Sequence, residues 1–471
     1  MMFDVQAVDA RIAQLVKQQH LAGVSVCVKG TDGTVFSGQY GVRDLAMKTP
    51  VDADTVFGIA SMSKSITALA LCILDTEGKL SVDDPVVKYI PSFRIPGTPR
   101  SAVTIRHLAM HTSGMPPMEP LEWSIAMNTN RRESPWLLEM RATAPNKMET
   151  IEQIIDYVAH CPYPTLGAPG EIMSYSNEGY AILSYVVDAA AHVKMEDFCR
   201  DRIFAPIGMT RTVMDDDCVS AKAMAKGDIT SLFERENGET IGDDIWNILP
   251  PFRGCAMVKS TAPDMAAYYC CLANGGKING KQVIPAKAVE RLVGVEYPET
   301  AHDYYCMGLN KFVRDGHVFL EHAGGLHGVS TKGAAIRDLG LGMAVLCNQG
   351  DEDMDDILWT IYSALLDLPL DTCFRRYQPN GEDFSDPEMM VGHFTGHEGT
   401  PEHLAVQVVD GKPVACKGET NMMLRYCGGT KFLGYTSETA TVPCSRLEFL
   451  IRDGAAWGVR VGTRVFTRDN E

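Results

Sequence analysis

The stretch FGIASMSKSITALALCILDTEGKL (residues 57–80) places a hydroxyl, Ser61, and an amine, Lys64, three positions apart at the head of an apolar run. On a helix, residues i and i+3 are surface neighbours, so the Lys64 amine reaches the Ser61 hydroxyl. The chemistry open to such a pair is nucleophilic: the amine takes the proton and the oxygen attacks an acyl carbon. A lysine at its ordinary pKa of about 10.4 is a poor base near neutrality. Burial and the positive end of the helix dipole both lower that value, and the same dipole favours an alkoxide. ITALALCIL is apolar nearly all round, which predicts a central helix and so supplies both conditions. No other serine in the chain has a lysine three residues on. Ser-x-x-Lys is also common on solvated helix faces, so the spacing alone leaves a surface pair as the alternative.

Two further segments carry groups that such chemistry would use. PGEIMSYSNEGYAILSYVV brings Tyr175 and Asn177 to the turn into a helix. A phenol there relays protons between Ser61 and a leaving group, and an amide orients Lys64 and a substrate carbonyl. The plainer account makes Asn177 an N-cap and Tyr175 a core aromatic. FLEHAGGLHGVSTKGAAI holds His322-Ala323-Gly324-Gly325 on a strand edge, where glycines let a substrate backbone approach closely. A Gly-rich turn between strands is the alternative.

The elements that must hold these groups are legible in outline. After an amphipathic N-terminal helix, residues 23–41 form two β-rich runs around Asp32-Gly33, a hairpin signal. The central helix runs from about Ser61 to near Gly78, a suitable C′ residue. Helical periodicity returns over residues 150–160, 177–193 and 261–273. Residues 318–349 read as strands, with LGMAVLCNQ fully buried. A hairpin at the start, helices in the middle and strands at the end predict an α/β (α+β) domain. Its antiparallel sheet is completed by both ends of the domain and flanked by helices, with an all-helical subdomain. The last helix, DMDDILWTIYSALLDL, ends near residue 368. The expected division is a domain over 1–370, a polar, turn-rich linker over 371–387, and a small all-β barrel over 388–471, where short strands alternate with Gly and Asp-Gly turns.

Composition narrows the function classes. A chain of 471 residues with 45% hydrophobic and 22% charged residues has ample core for two domains. Its formal net charge of −17 argues against nucleic acid and against anionic membrane surfaces as partners. Fourteen cysteines are scattered without a CxxC, so they read as small core residues in a reducing compartment rather than a disulfide or zinc framework. The N-terminus lacks the apolar core of a signal peptide and no run of about 18 apolar residues occurs, which makes cytoplasmic the expected location. GGKINGKQ (275–282) nearly spells a phosphate-binding loop, but Gln282 stands where Ser or Thr is needed and a helix precedes it. His107 and His111 have i, i+4 spacing without a third ligand, so core or capping roles fit better than a metal site.

In the order Ser-x-x-Lys, Tyr-x-Asn, His-x-Gly, the three segments resemble the serine β-lactamase and penicillin-binding-protein superfamily. TIRHLAMHTSGMP, DRIFAPIGMTRTVM and STAPDMAAYYCCLANGGKINGKQVI resemble stretches of its class C-like branch of esterases, D-aminopeptidases and acyltransferases, and the likeness covers roughly residues 8–368. The resemblance implies that Ser61 is the acylated nucleophile and that Lys64 and Tyr175 exchange its proton with the leaving group. It further implies that Asn177 positions, that the Ser61 and Gly325 N–H groups form an oxyanion hole, and that His322, Gly324 and Gly325 border the substrate. The implied substrate is a small molecule or short peptide, cleaved at an ester or amide bond, D-aminoacyl peptides among them. Transfer of the acyl group to another nucleophile, β-lactam hydrolysis and a non-catalytic sensor are the alternatives. No metal or organic cofactor is implied, and oligomeric state is left open. The departure is His322-Ala323-Gly324 where Lys-Thr-Gly or Lys-Ser-Gly is usual, which offers little grip on a carboxylate and disfavours β-lactams. With His322 near its titration range, a weak pH-dependent contact is expected there. The C-terminal barrel resembles the lipocalin-like appendage of some relatives, where it covers the mouth of the site. Oligomerisation or packing is an equally open role.

Overall fold

The computed structural model describes residues 3–44, 46, 48–214 and 229–469. Its centre is a nine-stranded antiparallel sheet. Strands Gly23–Gly30 and Gly33–Asp44 form the expected hairpin, and Gly23–Gly30 pairs on its other side with Leu341–Cys347, Val26 opposite Val345. The sheet continues through Val329–Ile336 and His317–Leu326 to Asn310–Arg314. The start and end of the domain therefore close one sheet, as the order of elements predicts.

Period-two alternation decides what packs on each face. Val24, Val26, Val28, Met343, Val345 and Cys347 face one core, shared with the helices Val5–Gln18 and Asp355–Leu365. Cys27, Ala344 and Leu346 face the other, shared with the helices Ser63–Thr76 and Ala262–Ala273. Ala262–Ala273 lies so close to the sheet that a β-carbon on Gly342 would come 1.9 Å from the Cys270 backbone nitrogen. Only glycine fits there.

Ser63–Thr76 is buried on every side from Ser63 to Leu74, the result of its all-round apolar sequence. It ends as predicted, with Gly78 at φ +70° after the C-cap Glu77. On the far side stands a helical layer, Pro120–Met127, Pro135–Thr143, Ile151–Ala159 and Asn177–Ala191. Beyond Asp355–Leu365 the chain reaches a closed eight-stranded barrel from Gly392–Gly396 to Arg464–Arg468, sealed by pairing of Phe394 with Arg468. Phe394, Phe432, Phe449 and Phe466 fill its core. GGKINGKQ forms a small hairpin, Lys277–Ile278 with Lys281–Gln282, in keeping with a surface turn.

Candidate active site

Ser61 lies in the 3-10 turn Ala60–Met62, which runs directly into the helix Ser63–Thr76. The α-helix thus begins two residues later than the sequence predicts. Ala60 carries φ +44°, a left-handed conformation costing a β-carbon-bearing residue about 1–2 kcal/mol. Its neighbour Ile59 holds the turn: Ile59 N donates to Val258 O at 3.0 Å, while Met62 N and Thr331 Oγ1 both donate to Ile59 O at 3.1 Å. The strand His317–Leu326 presses against this turn, and a β-carbon at Gly324 would lie 2.2 Å from Ile59 O. That strand pairs with Asn310–Arg314 only as far as Glu321, but with Val329–Ile336 out to Leu326. One side of the backbone from His322 to Leu326 is therefore without a ladder partner, and it borders a cavity of about 910 Å³ that Ser61, Tyr175 and Asn177 also line.

Lys64 is 0% exposed. Its Nζ donates to Ser61 Oγ at 2.9 Å, Asn177 Oδ1 at 2.9 Å and the Cys255 carbonyl at 3.2 Å. Three oxygens match the three N–H bonds of an ammonium; a neutral amine instead offers Ser61 a lone pair. Among the described residues no carboxylate lies within ion-pair distance of it. Nζ also sits 4.7 Å from the centre of the buried Tyr175 ring.

Asn177 is not an N-cap. Ser176 is, accepting from Gly179 N at 3.1 Å, which leaves the Asn177 amide free at the head of Asn177–Ala191. The amide gives its oxygen to Lys64 and donates its nitrogen to Glu398 Oε1 at 3.1 Å. Glu398 belongs to the barrel. So does Arg464, whose Nη2 donates to Glu398 Oε1 at 2.5 Å and whose guanidinium carbon lies 4.4 Å from the Tyr175 ring centre. Tyr175 N donates to Thr463 O at 2.9 Å, and Val465 N to Ser174 Oγ at 3.2 Å. The barrel thus borders the site directly, as its resemblance to an active-site cover suggests.

His322 corrects an expectation. It is buried, and its hydrogen bonds suit a neutral ring. Ser176 N donates to His111 Nδ1 at 3.0 Å, so His111 Nε2 carries the proton and donates to Tyr305 Oη at 3.1 Å. Tyr305 then donates to His322 Nε2 at 3.4 Å, and His322 Nδ1 donates to the Ala323 carbonyl at 2.5 Å. This chain of bonds is complete with both rings uncharged. Burial, with Lys64 adding repulsion, pushes His322 down to about 3 and His111 well below the usual histidine range. His322 therefore does not titrate near neutrality, and its ring nitrogens are both spent inside the protein.

Carboxylates outnumber cations along the cavity: Glu122, Glu234, Glu321, Asp351, Glu352, Asp353, Asp355 and Glu398 stand against Arg131, Lys332, Arg376 and Arg464. Burial, with Glu398 close by, pushes the Glu122 and Glu178 carboxyls up to about 7. His107 caps Ile105–Ala109 in a capping box with Thr104, and His111 is a core histidine. Among the described residues no group of three potential metal ligands occurs, no helix is long and apolar enough to cross a membrane, and every cysteine is a free thiol.

Of the residues singled out in the sequence, Ser61, Tyr175, Asn177 and the His322–Gly325 edge line one cavity, and Lys64 lies buried behind Ser61. Nothing in the sequence marks Glu398, Thr463 and Arg464 as lining the same cavity, nor shows that the His111 ring lies 4.1 Å from that of Tyr175.

Comparison with known proteins agrees. The sequence pattern of the Beta-lactamase family matches residues 8–367. Penicillin-binding protein 4* of Bacillus subtilis is 29% identical over 198 residues, which span 42% of this chain and 39% of that protein. The match thus covers about two fifths of that relative's length. Among solved structures, SurE superposes with a TM-score of 0.73 at 19% identity over 98% of both chains. An octameric penicillin-binding protein homologue from Pyrococcus abyssi gives 0.67 at 20% identity, over 98% of this chain and 100% of that one. Both cover the barrel as well as the body; at these identities they speak to fold alone.

Proposed function

Because the chain belongs to the β-lactamase family, we propose that it is a serine hydrolase that forms an acyl-enzyme on Ser61 and cleaves an ester or amide bond. The observation that carries this reading is the 2.9 Å contact between Lys64 Nζ and Ser61 Oγ, made in a cavity rather than on a surface. Lys64 in its amine form takes the Ser61 proton as Oγ attacks the carbonyl carbon. Tyr175 passes a proton to the departing alkoxide or amine. The N–H groups of Ser61 and Gly325 hold the oxyanion, a contact typically worth about 10²–10³ in kcat per donor. Water, activated by the same pair, then releases the acyl group.

The substrate reading follows from the charges. With His322 neutral and internally bonded, and carboxylates prevailing along the walls, the cavity suits an uncharged or amine-bearing substrate better than a carboxylate. Esters, amides and D-aminoacyl peptides fit that description, and β-lactams do not. On this reading residues 1–370 are the catalytic domain, 371–387 a linker and 388–471 a barrel that limits access.

A fluorophosphonate tests the proposal. It is expected to add one phosphonyl group to Ser61, detectable by intact mass and peptide mapping, and none to Ser61→Ala. An unlabelled wild type would overturn it. Efficient nitrocefin turnover would overturn the substrate reading alone.

A further inference from the structure

The barrel's contact with Asn177 reaches the reacting pair. An amide side chain has one accepting end and one donating end, and here each faces a group that can take only one of them. With its lone pair turned to Ser61, the Lys64 amine has only N–H bonds to offer Asn177, whose oxygen lies 2.9 Å from Nζ. The Glu398 carboxylate can only accept, and the Asn177 nitrogen lies 3.1 Å from it. Turning the amide over would set donor against donor and acceptor against acceptor, each leaving a buried polar group unsatisfied. Without Glu398, nothing among the described residues fixes the orientation from the far side.

We propose that Glu398 is a positioning residue for catalysis: it locks the Asn177 amide so that its oxygen holds Lys64 against Ser61, and the docked barrel is thereby a working part of the active site. The inference rests on the serine hydrolase reading.

Besides the Asn177 amide, Glu398 has one other partner, Arg464. It stands in the segment between the strands Gly392–Gly396 and Glu402–Val409, outside the aromatic core of the barrel. Arg464 holds it from behind, through a hydrogen bond of Nη2 to Oε1 at 2.5 Å and an ion-pair contact of Nε with Oε2. Arg464 is itself steadied by Thr463 Oγ1 at 2.8 Å and by the Tyr175 ring. The strand that carries Arg464 is tied to Ser174 and Tyr175 through Val465 N and the Thr463 carbonyl. The barrel thus grips residues 174–177 at three points, and the last of them is the amide that faces Lys64.

The test is a double-mutant cycle on the full chain, read with a fluorophosphonate and with p-nitrophenyl acetate. Glu398→Ala is expected to lower the labelling rate of Ser61 and kcat about 10- to 100-fold, the loss of one hydrogen bond to a charged group, with KM near wild type. Asn177→Ala costs at least as much. The double variant is expected to be no slower than Asn177→Ala, because Glu398 acts only through the amide. Glu398→Gln, which keeps an accepting oxygen, recovers part of the loss. An independent readout is the side-chain amide signal of Asn177 in protein labelled with ¹⁵N-asparagine, assigned by its absence in Asn177→Ala and expected to shift in Glu398→Ala. Wild-type labelling by Glu398→Ala, losses that multiply in the double variant, or an unmoved amide signal would overturn the proposal. If wild-type Ser61 takes no label while the amide signal shifts, the hydrolase reading falls and the locked amide stands as a structural device only.

Discussion

Two buried lysines are surrounded in opposite ways: Lys332 lines the cavity, and Lys64 lies behind Ser61, which lines it too. Lys64 is held by a hydroxyl, an amide oxygen and a backbone carbonyl, all neutral. Lys332, on the strand Val329–Ile336, lies 3.6 Å from Glu321 and is bonded to Asp355. Burial alone would lower the Lys332 pKa, but Glu321 and Asp355 hold it above the ordinary lysine range. A lysine among carboxylates is a permanent cation that ties elements together. A lysine held only by neutral oxygens has no counter-charge fixing it in place as a cation, the arrangement the proposed base role calls for.

The sharpest way to break this comparison is to remove each amine. Lys64→Met is expected to slow Ser61 labelling by about 10³-fold or more, the upper part of the range for a general base. Its thermal midpoint should fall less than that of Lys332→Met, since only neutral acceptors lose their partner. Equal labelling rates would place the base elsewhere.

Making one site resemble the other is the next largest change. Asn177→Asp sets a carboxylate beside Lys64 and turns its surroundings into those of Lys332. Activity near neutrality is expected to fall about 100-fold and to recover partly at alkaline pH, read from kcat/KM against pH. A variant with the wild-type profile would show that neutral neighbours are not what matters.

Lys332→Met is expected to do the reverse of Lys64→Met. Glu321 and Asp355 lose their counter-charge, and breaking a buried pair costs about 3–5 kcal/mol. Denaturant unfolding should show that loss, while the folded fraction labels Ser61 at an undiminished rate.

The most gradual effect is in the pH dependence of stability, where the histidines beside Lys64 respond to acid. With His322 pushed from 6.5 to about 3, the unfolded chain binds more protons than the native one between those values. Stability from this group is full above pH 6.5 and declines as pH falls toward 3, by up to about 1.4 kcal/mol per unit for one histidine. His111, displaced in the same direction, steepens the slope. His322→Gln should flatten it, as measured by urea midpoints across that range.

What the sequence reveals here is what lies close along the chain. Ser61 and Lys64 are one helical turn apart, Tyr175 and Asn177 two residues apart, and the edge His322–Gly325 is continuous, so local spacing carries each. The alternating apolar residues of Gly23–Gly30 and the fully buried run Leu341–Cys347 announce the sheet for the same reason. Glu398 meets Asn177 across 221 residues, and nothing in HEGTPEH marks one glutamate for that contact. The protonation of His322 was illegible because it depends on His111 and Tyr305, which only the fold brings to it. Ser176 rather than Asn177 caps its helix, a one-residue difference that frees the amide for Lys64.

The most direct measurement is a rapid-mixing experiment with p-nitrophenyl acetate followed by mass mapping of the quenched protein. A burst of p-nitrophenol approaching one equivalent per chain is expected, with an acetyl group on the Ser61 peptide and the loss of both in Ser61→Ala. Release of p-nitrophenol without an acylated Ser61, or a burst that survives Ser61→Ala, would contradict an acyl-enzyme on Ser61.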